Sequence, residues 1–573
     1  MRCRHWEQPA RGCHALQRWL CFSLLARHFK IVAPLPKQAQ REVGASVGQA
    51  EAACARLAHS LSRAMCRSGA MQHQPGQPGP PLLGVAVLQL ETRPVATEEN
   101  LAHVEALLDR ECARLGIPCR DNGKPGSDDS SGSSGSGGES VHMDILLLPE
   151  IFNTGYLLTE AAWYFAESLA DSAASPTLRA LSRWAARYCC YAGATLLEAT
   201  ADGHIYNSFV LAAPNGTFVR RPATSAAVST TRPTSSSVAL VRKHRASSLE
   251  GFVFRSAGGA GRGGEPEAHI IEIDAAPLLA KRSKHCSGSS AGSGAGQLGG
   301  AMMRLGVSVC YENFCLEPMR SLQEVHLQEP LDLLLSPFCA MQPAHDHPTF
   351  KWPRDAAERF AASAAAVSQM HAAKLGVPVA ACHHTGQWAA PLPRLLPFLP
   401  TDAVPLSGPM LGCSAIYAPG GSPLARLDRE QEGMALVQLP LLQCPRAPAA
   451  AQARTGQLAG TLLAGVLGVA AVASADAGPA APYASYAGGY IVEPASWEVK
   501  YGFRLMEALG ALSYNLWQGR LRRRVAQRIA AGGVWRGPMP PLDARTGGGW
   551  GWALVAAAAA GAALASMTLL HRT

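Results

Sequence analysis

An α/β domain is the fold class that the sequence predicts for the middle of this 573-residue chain. Continuous apolar runs such as DILLL and LDLLL are typical of strands that are buried on both faces. Stretches with the helical repeat of apolar residues alternate with these runs. Hydrophobic residues make up 48% of the chain, which is enough for a large core. We therefore expect one α/β domain over roughly residues 82–442, with antiparallel strand pairs among its elements.

The elements of the amino-terminal half follow from apolar periodicity and from turn residues. LLGVAVLQL predicts the first strand, and a helix from about Glu98 to Leu115, capped by Thr97, follows it. DILLLPE predicts the second strand, and the pattern from Glu160 to about Tyr191 is helical. The remaining strands of this half are predicted at CCYAGATLLEA, at NSFVLAAPNGTFV with its Asn-Gly turn, and at VALVRK.

The carboxy-terminal half begins with two buried strands, RLGVSV and LDLLLSPF, which a helical segment separates. AAERFAASAAAVSQMHAAKLG predicts a helix that ends at Gly376, because glycine is a common residue just after a helix. VPVAACH predicts another strand. The segment CSAIYAPGGSPLARLDREQEGMALVQL predicts three strands joined by a glycine turn and a polar turn.

Four polar inserts interrupt this domain. They are rich in Gly, Ser and Thr, so they have little apolar surface to bury, and we expect them to be disordered surface loops. The inserts lie at 121–140, 222–237, 258–264 and 287–300.

Basic charge is concentrated at the amino terminus. The first 70 residues hold 11 Lys and Arg against Glu7, Glu42 and Glu51, whereas the whole chain has a net charge of +9. The remainder is therefore nearly neutral and shows no nucleic-acid footprint. The leader, residues 1–80, is Arg-rich, Ala-rich and acid-poor, as organelle transit peptides are. A disordered amino terminus is the alternative.

The 16 cysteines are spread along the chain without a CxxC pair. Cys310 and Cys315 lack the matching His or Cys pair of a zinc site, so we expect no metal. The simplest interpretation is a set of free thiols in a reducing compartment, most of them buried.

The tail, residues 445–573, differs in composition and is expected to be helical. Two uncharged stretches, 458–474 and 552–570, have about the length that spans a bilayer. A basic amphipathic stretch between them suits an anionic membrane surface. Both uncharged stretches are rich in Ala and Gly, which insert weakly, so a soluble helix or a low-complexity tract is the alternative. We favour membrane association, in an organelle if the leader is a transit peptide, over a cytoplasmic location.

Three chemically reactive side chains follow three of the predicted strands. Glu150 comes after DILLLP, Lys243 after VALVR and Cys310 after LGVSV. Ligands of open α/β sheets bind beyond the strand ends, so we expect these residues to converge on one pocket. A thiolate is a strong nucleophile, a carboxylate removes its proton, and an ammonium group stabilises an oxyanion. The backbone N–H of Tyr311, next to the nucleophile, is a further candidate oxyanion donor.

Each of these residues alone has a structural explanation. A cysteine after a strand is commonly an inert core residue, a glutamate after proline commonly caps a loop, and Lys243 lies in a basic turn. The three residue types at three strand ends together favour catalysis.

The local contexts of these residues resemble the motifs of the nitrilase, or carbon–nitrogen hydrolase, superfamily. LLLPEIFNTGYLL resembles its glutamate motif, VRKHRASSLEGFVF its lysine motif, and LGVSVCYENFCLEPMR its nucleophile motif. The seven-residue step from Lys243 to Glu250 matches the family's supporting glutamate, and CSAIYAPGGSPLARLDREQEGMALVQL resembles its closing segment. The resemblance covers roughly residues 82–442.

This resemblance implies a four-layer α-β-β-α sandwich, usually dimeric or larger, that acts on small amides or nitriles without a metal or organic cofactor. Glu150 would be the general base, Lys243 the oxyanion stabiliser and Cys310 the nucleophile. Glu250 would orient the others and assist proton transfer. Cys310 would attack the amide or nitrile carbon, ammonia or an amine would leave, and water would hydrolyse the thioester.

The resemblance also nominates substrate contacts. Many nitrile-cleaving members carry Trp after the cysteine, whereas this chain has Tyr311, which favours amides over nitriles. Glu312 follows the nucleophile as in many members. CHHTGQWAAPLP lies where the family places a substrate-facing segment. His383, His384 and Trp388 are therefore candidate substrate contacts, with a core or loop role as the alternative.

Three functions remain open from the sequence. The first is an amidohydrolase tethered by its carboxyl-terminal tail. The second is an acyltransferase that passes the same thioester to an amine, although its membrane-embedded relatives carry their helices before the catalytic domain. The third is a non-catalytic, membrane-linked scaffold of the same fold, against which the intact Glu–Lys–Cys set argues.

Overall fold

The computed structural model describes the central part of the chain, from Leu82 to Pro440 with gaps. The leader, the four polar inserts and the tail, with the predicted disorder and membrane-spanning stretches, lie outside the described residues. No helix among the described residues is long and apolar enough to cross a membrane. The described residues are 82–119, 141–158, 161–170, 172–200, 203–219, 240–247, 250–257, 269–275, 278, 302–341, 356–391 and 405–440.

The first β-sheet has seven strands: β1 (Leu82–Glu91), β2 (Ile145–Leu147), β3 (Tyr191–Ala199), β4 (Ile205–Ala212), β5 (Leu240–Arg242), β10 (His384–Thr385) and β15 (Gly433–Pro440). Their order is β10-β1-β2-β3-β4-β5, with β15 also beside β1. Strands β1, β2 and β3 are parallel, and β4 and β5 each run antiparallel to the strand before them, so β5 points the same way as β2.

The second sheet has six strands in the order β14-β13-β9-β8-β7-β6, and its three central strands, β7 to β9, are parallel. A separate two-stranded ribbon is formed by β11 (Gln387–Pro391) and β12 (Pro405–Pro409). The strands of the second sheet are β6 (Ile270–Asp274), β7 (Met302–Val307), β8 (Leu333–Pro337), β9 (Val379–Cys382), β13 (Ala415–Tyr417) and β14 (Pro423–Arg426).

Five α-helices and two short 3₁₀ helices complete the described part. The 3₁₀ helices are Glu250–Phe252 and Cys310–Phe314. The α-helices are α1 (Thr97–Leu115), α2 (Ala161–Phe165), α3 (Pro176–Tyr188), α4 (Leu316–Gln328) and α5 (Ala356–Leu375).

Alternating strand residues pack into separate apolar cores, because successive side chains of a strand point to opposite faces. Val85 of β1 packs in a core that contains residues of both sheets, whereas Leu88 packs in a core with α1 and α3. In β8, Leu335 belongs to the core between the sheets, and Leu334 packs with α4 and α5. Two sheets therefore face each other, and helices cover the outer face of each, which confirms the predicted α/β class.

Several predicted elements differ in their bounds. The continuous helix expected from Glu160 to Tyr191 is wrong: the structure has α2 and α3, and Pro176 at the start of α3 cannot continue a preceding helix. The cap at Thr97 is also wrong, because α1 begins at that residue and Ala96 occupies the cap position without a side-chain hydrogen bond. Strand β2 is three residues long, so Glu150 lies in the turn beyond it.

Gly84 lets the backbone of β1 approach the segment before β2. A Cβ atom at this position would lie 1.8 Å from the carbonyl oxygen of His142, and backbone atoms cannot move aside cheaply. We expect Gly84→Ala to lower the unfolding free energy by about 2 kcal/mol or more, measured as a fall in the thermal unfolding midpoint of the full chain.

Gly420→Ala is the matched control for this substitution. Gly420 is exposed, and an added Cβ would meet nothing within 4 Å. Its effect should stay within about 0.5 kcal/mol. An unchanged midpoint for Gly84→Ala would contradict the close approach of the two backbones.

Candidate active site

The candidate site lies at the carboxyl ends of strands from both sheets. Glu150 follows β2 and Lys243 follows β5 in the first sheet, while Cys310 follows β7 and Cys339 follows β8 in the second. Glu150 joins the two sheets, because its backbone N–H donates to Phe338 O at 3.4 Å and its Oε2 accepts the N–H of Cys339 at 2.7 Å. The predicted convergence of strand ends is therefore present in the structure.

Glu150 is fully buried, and several donors hold its carboxylate. Its Oε1 accepts hydrogen bonds from Lys243 Nζ at 2.8 Å and from Asn207 Nδ2 at 2.6 Å. The thiol of Cys310 lies near the same carboxylate, and each group acts on the pKa of the other. Burial raises the pKa of Glu150, with a further rise from Glu250, while the Lys243 charge opposes this shift.

The ammonium group of Lys243 lies between two carboxylates. Its Nζ is 2.8 Å from Glu150 Oε1 and 2.9 Å from Glu250 Oε2, and all three side chains are at most 2% exposed. Burial disfavours the lysine charge, but Glu150 and Glu250 outweigh it and hold the pKa of Lys243 well above its ordinary value. Glu250 in turn accepts the backbone N–H of Ser247, which fixes it in the loop after β5.

Cys310 opens the 3₁₀ turn after β7, and its side chain is half-buried. Its backbone is left-handed, with φ of 51°, a conformation that costs a non-glycine residue about 1–3 kcal/mol. Ile151, next to Glu150, is also left-handed with φ of 54°. Burial, then the charge of Glu150, raises the pKa of Cys310 well above its usual range despite Lys243, so the resting form is the thiol.

Glu312 connects the lysine loop to the nucleophile turn. It is fully buried, and its Oε1 accepts the backbone N–H groups of His244 and Arg245. Its Oε2 accepts the N–H of Val309, the residue before Cys310, at 2.9 Å. The structure thus places this predicted substrate contact among backbone donors, where it joins the two loops that present Lys243 and Cys310.

The three candidates in CHHTGQWAAPLP are all buried. His384 bridges the Glu150 carbonyl oxygen, 2.6 Å from Nε2, and Thr92 Oγ1, 3.0 Å from Nδ1, and burial lowers its pKa to about 4. It is therefore a neutral ring that supports the Glu150 backbone. His383 stacks on Phe338 with a centroid distance of 4.4 Å, and burial lowers its pKa to about 3.

Trp388 packs in a small apolar cluster beside Cys339, and its Nε1 donates to Tyr156 O at 3.1 Å. The ring of Tyr156 lies 5.8 Å from that of Trp388, and its hydroxyl lies 2.7 Å from Ser247 Oγ. Burial raises the pKa of the Tyr156 phenol, and the nearby charges of Glu250 and Glu150 add to the rise. Tyr156 is thus close to the carboxylates, although sequence reasoning did not nominate it.

Asn207 and the Cys339 N–H are the other contacts that sequence reasoning missed. Each donates to Glu150. Asparagine is unfavourable inside a mostly apolar strand, so its position in YNSFVLA could have indicated that Asn207 has a specific role. A backbone N–H leaves no mark in a sequence. Among the described residues, no group of three His, Cys, Asp or Glu side chains is arranged to hold a metal ion.

Comparison with known proteins identifies the family. The carbon-nitrogen hydrolase family profile matches residues 84–448, which is more than half of the chain. No curated protein matches the sequence. Solved structures similar to this chain include a carbon-nitrogen hydrolase from Helicobacter pylori G27, at 14% identity and a TM-score of 0.40, covering 62% of this chain and 89% of that one.

Two further similar structures come from other organisms. An amidase from Nesterenkonia sp. is 16% identical, with a TM-score of 0.37, over 65% of this chain and 97% of that one. Nit3 of Saccharomyces cerevisiae, a nitrilase-superfamily member, is 13% identical, with a TM-score of 0.37, over 64% of this chain and 96% of that one. On the family match, this chain belongs to the carbon–nitrogen hydrolase family.

Proposed function

We propose that this carbon–nitrogen hydrolase is an amidase that cleaves a small, non-peptide amide through a thioester on Cys310. The observation that carries the proposal is the buried ion cluster, in which Lys243 lies within 3 Å of both Glu150 and Glu250 while the charge of Glu150 acts on the nearby Cys310 thiol.

Stability alone does not account for this cluster. Removing charges from water costs several kcal/mol per ion, and buried ion pairs can often be replaced by apolar side chains without loss of stability. Here two carboxylates share one ammonium group, so one negative charge is left over. Such an arrangement, at the carboxyl ends of strands from two sheets, is better explained by a catalytic role than by a contribution to folding stability.

The surplus charge determines where the proton rests. Burial disfavours a thiolate at Cys310, and a thiolate would also add a second negative charge to the net charge of −1 that Glu150, Lys243 and Glu250 carry when both carboxylates are ionised. Moving the thiol proton to Glu150 leaves the net charge at −1. The base must therefore accept the proton within the site, as the nucleophile attacks.

The reaction then proceeds in two stages. Glu150 takes the Cys310 proton, and the sulfur attacks the amide carbon to form a tetrahedral intermediate whose oxyanion is stabilised by Lys243 and the Tyr311 N–H. The C–N bond breaks, and Glu150 protonates the leaving ammonia or amine. Water then attacks the thioester, Glu150 accepts its proton, and the carboxylic acid leaves as Cys310 regains a proton.

The supporting residues have distinct roles in this scheme. Glu250 holds Lys243 against Glu150, and Glu312 holds the loops of Lys243 and Cys310 together. His384 supports the Glu150 backbone, which makes it a positioning residue rather than a substrate contact. Trp388 and His383 remain candidates for the wall of the substrate pocket.

Cys310→Ala should abolish amide hydrolysis, because it removes the proposed nucleophile from beside Glu150 and Lys243. We expect a fall of about 10³-fold or more in turnover. The full chain is incubated with a panel of small amides, nitriles and N-carbamoyl compounds, and ammonia release is measured. Intact-protein mass spectrometry of acid-quenched samples then detects an acyl adduct.

Cys189→Ala is the matched control, since Cys189 is also half-buried with left-handed φ, at the end of α3. It should retain both activity and adduct. Turnover by Cys310→Ala within about tenfold of wild type would rule out the thioester route. Acyl transfer to an added amine that exceeds hydrolysis would instead identify an acyltransferase.

The pH profile of kcat/KM should have an acidic limb that belongs to Glu150. The base must be ionised, and burial raises its pKa, so activity should fall with decreasing pH at values above the ordinary carboxyl pKa of about 4.3. Glu250→Gln removes a like charge that raises this pKa, so the limb should move to lower pH even though the rate falls.

Glu198→Gln serves as the control for this profile, because Glu198 is a buried carboxylate paired with Arg242 rather than with Lys243. Its acidic limb should coincide with that of wild type. A limb that moves to higher pH in Glu250→Gln would show that Glu250 does not act on Glu150 through its charge.

A further inference from the structure

We infer that Asn207 is a positioning residue of this active site, which aims the carboxylate of Glu150 and fixes the start of the Lys243 loop. The inference rests on the proposed role of Glu150 as the base. It extends that proposal by a residue that lies on a strand, outside the loops that carry Glu150, Lys243 and Cys310.

Asn207 contacts both loops of the first sheet at once. Its side-chain Nδ2 donates to Glu150 Oε1 at 2.6 Å, and its backbone oxygen accepts the N–H of Lys243 at 2.8 Å. The residue lies inside β4, paired with Leu197 of β3, and is 1% exposed. A rigid central strand therefore sets the distance between the base and the lysine.

The orientation of the Asn207 amide is determined by its neighbour. A flipped amide would place Oδ1 against the Glu150 carboxylate oxygen, where two acceptors repel each other, so Nδ2 must face Glu150. Oδ1 is then buried without a hydrogen-bond partner among the described residues. An unpaired buried acceptor is destabilising, so the amide is not explained by its contribution to stability.

The hydrogen bond has a defined electrostatic effect. Asn207 donates to the charged form of Glu150 without adding charge, so it favours the ionised base and restricts its rotation. Losing the donor should make Glu150 bind a proton more readily. The titratable groups that face Glu150 from the surrounding elements are Lys243, Glu250, Cys310, Cys339, Tyr156 and His384.

The test follows the alkylation of Cys310 by iodoacetamide across pH in the full chain, read by peptide mass spectrometry. Iodoacetamide reacts with Cys310 when the pair of Cys310 and Glu150 holds a single proton. At low pH Glu150 also binds a proton, so the alkylation rate should fall and give an acidic limb in the pH profile. Asn207→Asp keeps the shape but replaces the donor by a like charge. We expect the acidic limb of this variant to lie at higher pH. At a given pH on the limb, its alkylation rate should therefore be lower than that of wild type by about tenfold or more.

Asn207→Ala removes the donor without adding charge and should move the limb in the same direction by a smaller amount, about three- to tenfold in rate on the limb. Ser208→Ala is the matched control, since the neighbouring Ser208 is equally buried and donates to Glu198 at 2.6 Å. Its limb should not move. A purely structural role would lower the unfolding midpoint and leave the limb unchanged.

The outcomes separate this inference from the proposed function. If wild-type alkylation shows no acidic limb, Glu150 is not the base and both proposals fail. If wild type has the limb and neither Asn207 variant moves it, Asn207 does not position the base, while the amidase proposal stands. A shift in the Asn207 variants, without one in Ser208→Ala, is the result expected here.

Discussion

The rest of the site depends on the ion pair between Lys243 and its two carboxylates. One ammonium group cannot neutralise both Glu150 and Glu250, so the cluster keeps one negative charge away from water. Burial is the larger cause of the raised pKa values of Cys310 and Tyr156, and the charges of Glu150 and Glu250 add to it. The same two charges keep Lys243 charged against the effect of burial. These charge effects are strong because Coulomb interactions are weakly screened where water is excluded.

Holding such a cluster requires a framework that cannot relax around it. The two glutamates and the lysine are attached to short turns, but each turn is tied to a sheet. The N–H of Cys339, from the end of β8, holds the Glu150 carboxylate, and Glu312 joins the lysine loop to the turn of Cys310. The left-handed backbone at Ile151 and Cys310 fits this view, since strained turns persist only where the surroundings determine them fully.

Sequence patterning located the strands and the reactive residues for a physical reason. Strands that are buried on both faces consist of consecutive apolar residues. A charged or nucleophilic residue directly after such a run is therefore easy to recognise, as at Glu150, Lys243 and Cys310. Contacts made by backbone groups or across sheets leave no such pattern. Glu312 was expected to touch substrate because it follows the cysteine, and nothing in the sequence indicated that its carboxylate accepts N–H groups of the lysine loop and of its own turn. The break between α2 and α3 was missed although Pro176 was visible, because apolar periodicity continued on both sides.

The raised pKa of Cys310 distinguishes this site from those that activate cysteine by lowering its pKa. A thiolate formed in advance would react with any electrophile that reached it, and Cys310 is only half-buried. In the proposed mechanism the thiol is ionised only by proton transfer to Glu150, which leaves the charge of the cluster unchanged. The oxyanion that follows lies near Lys243, which is charged already and needs no reorganisation. Under this mechanism Cys310 would become reactive only when a bound electrophile takes up the negative charge that forms on the sulfur, so the surplus charge of the cluster would make the reaction selective.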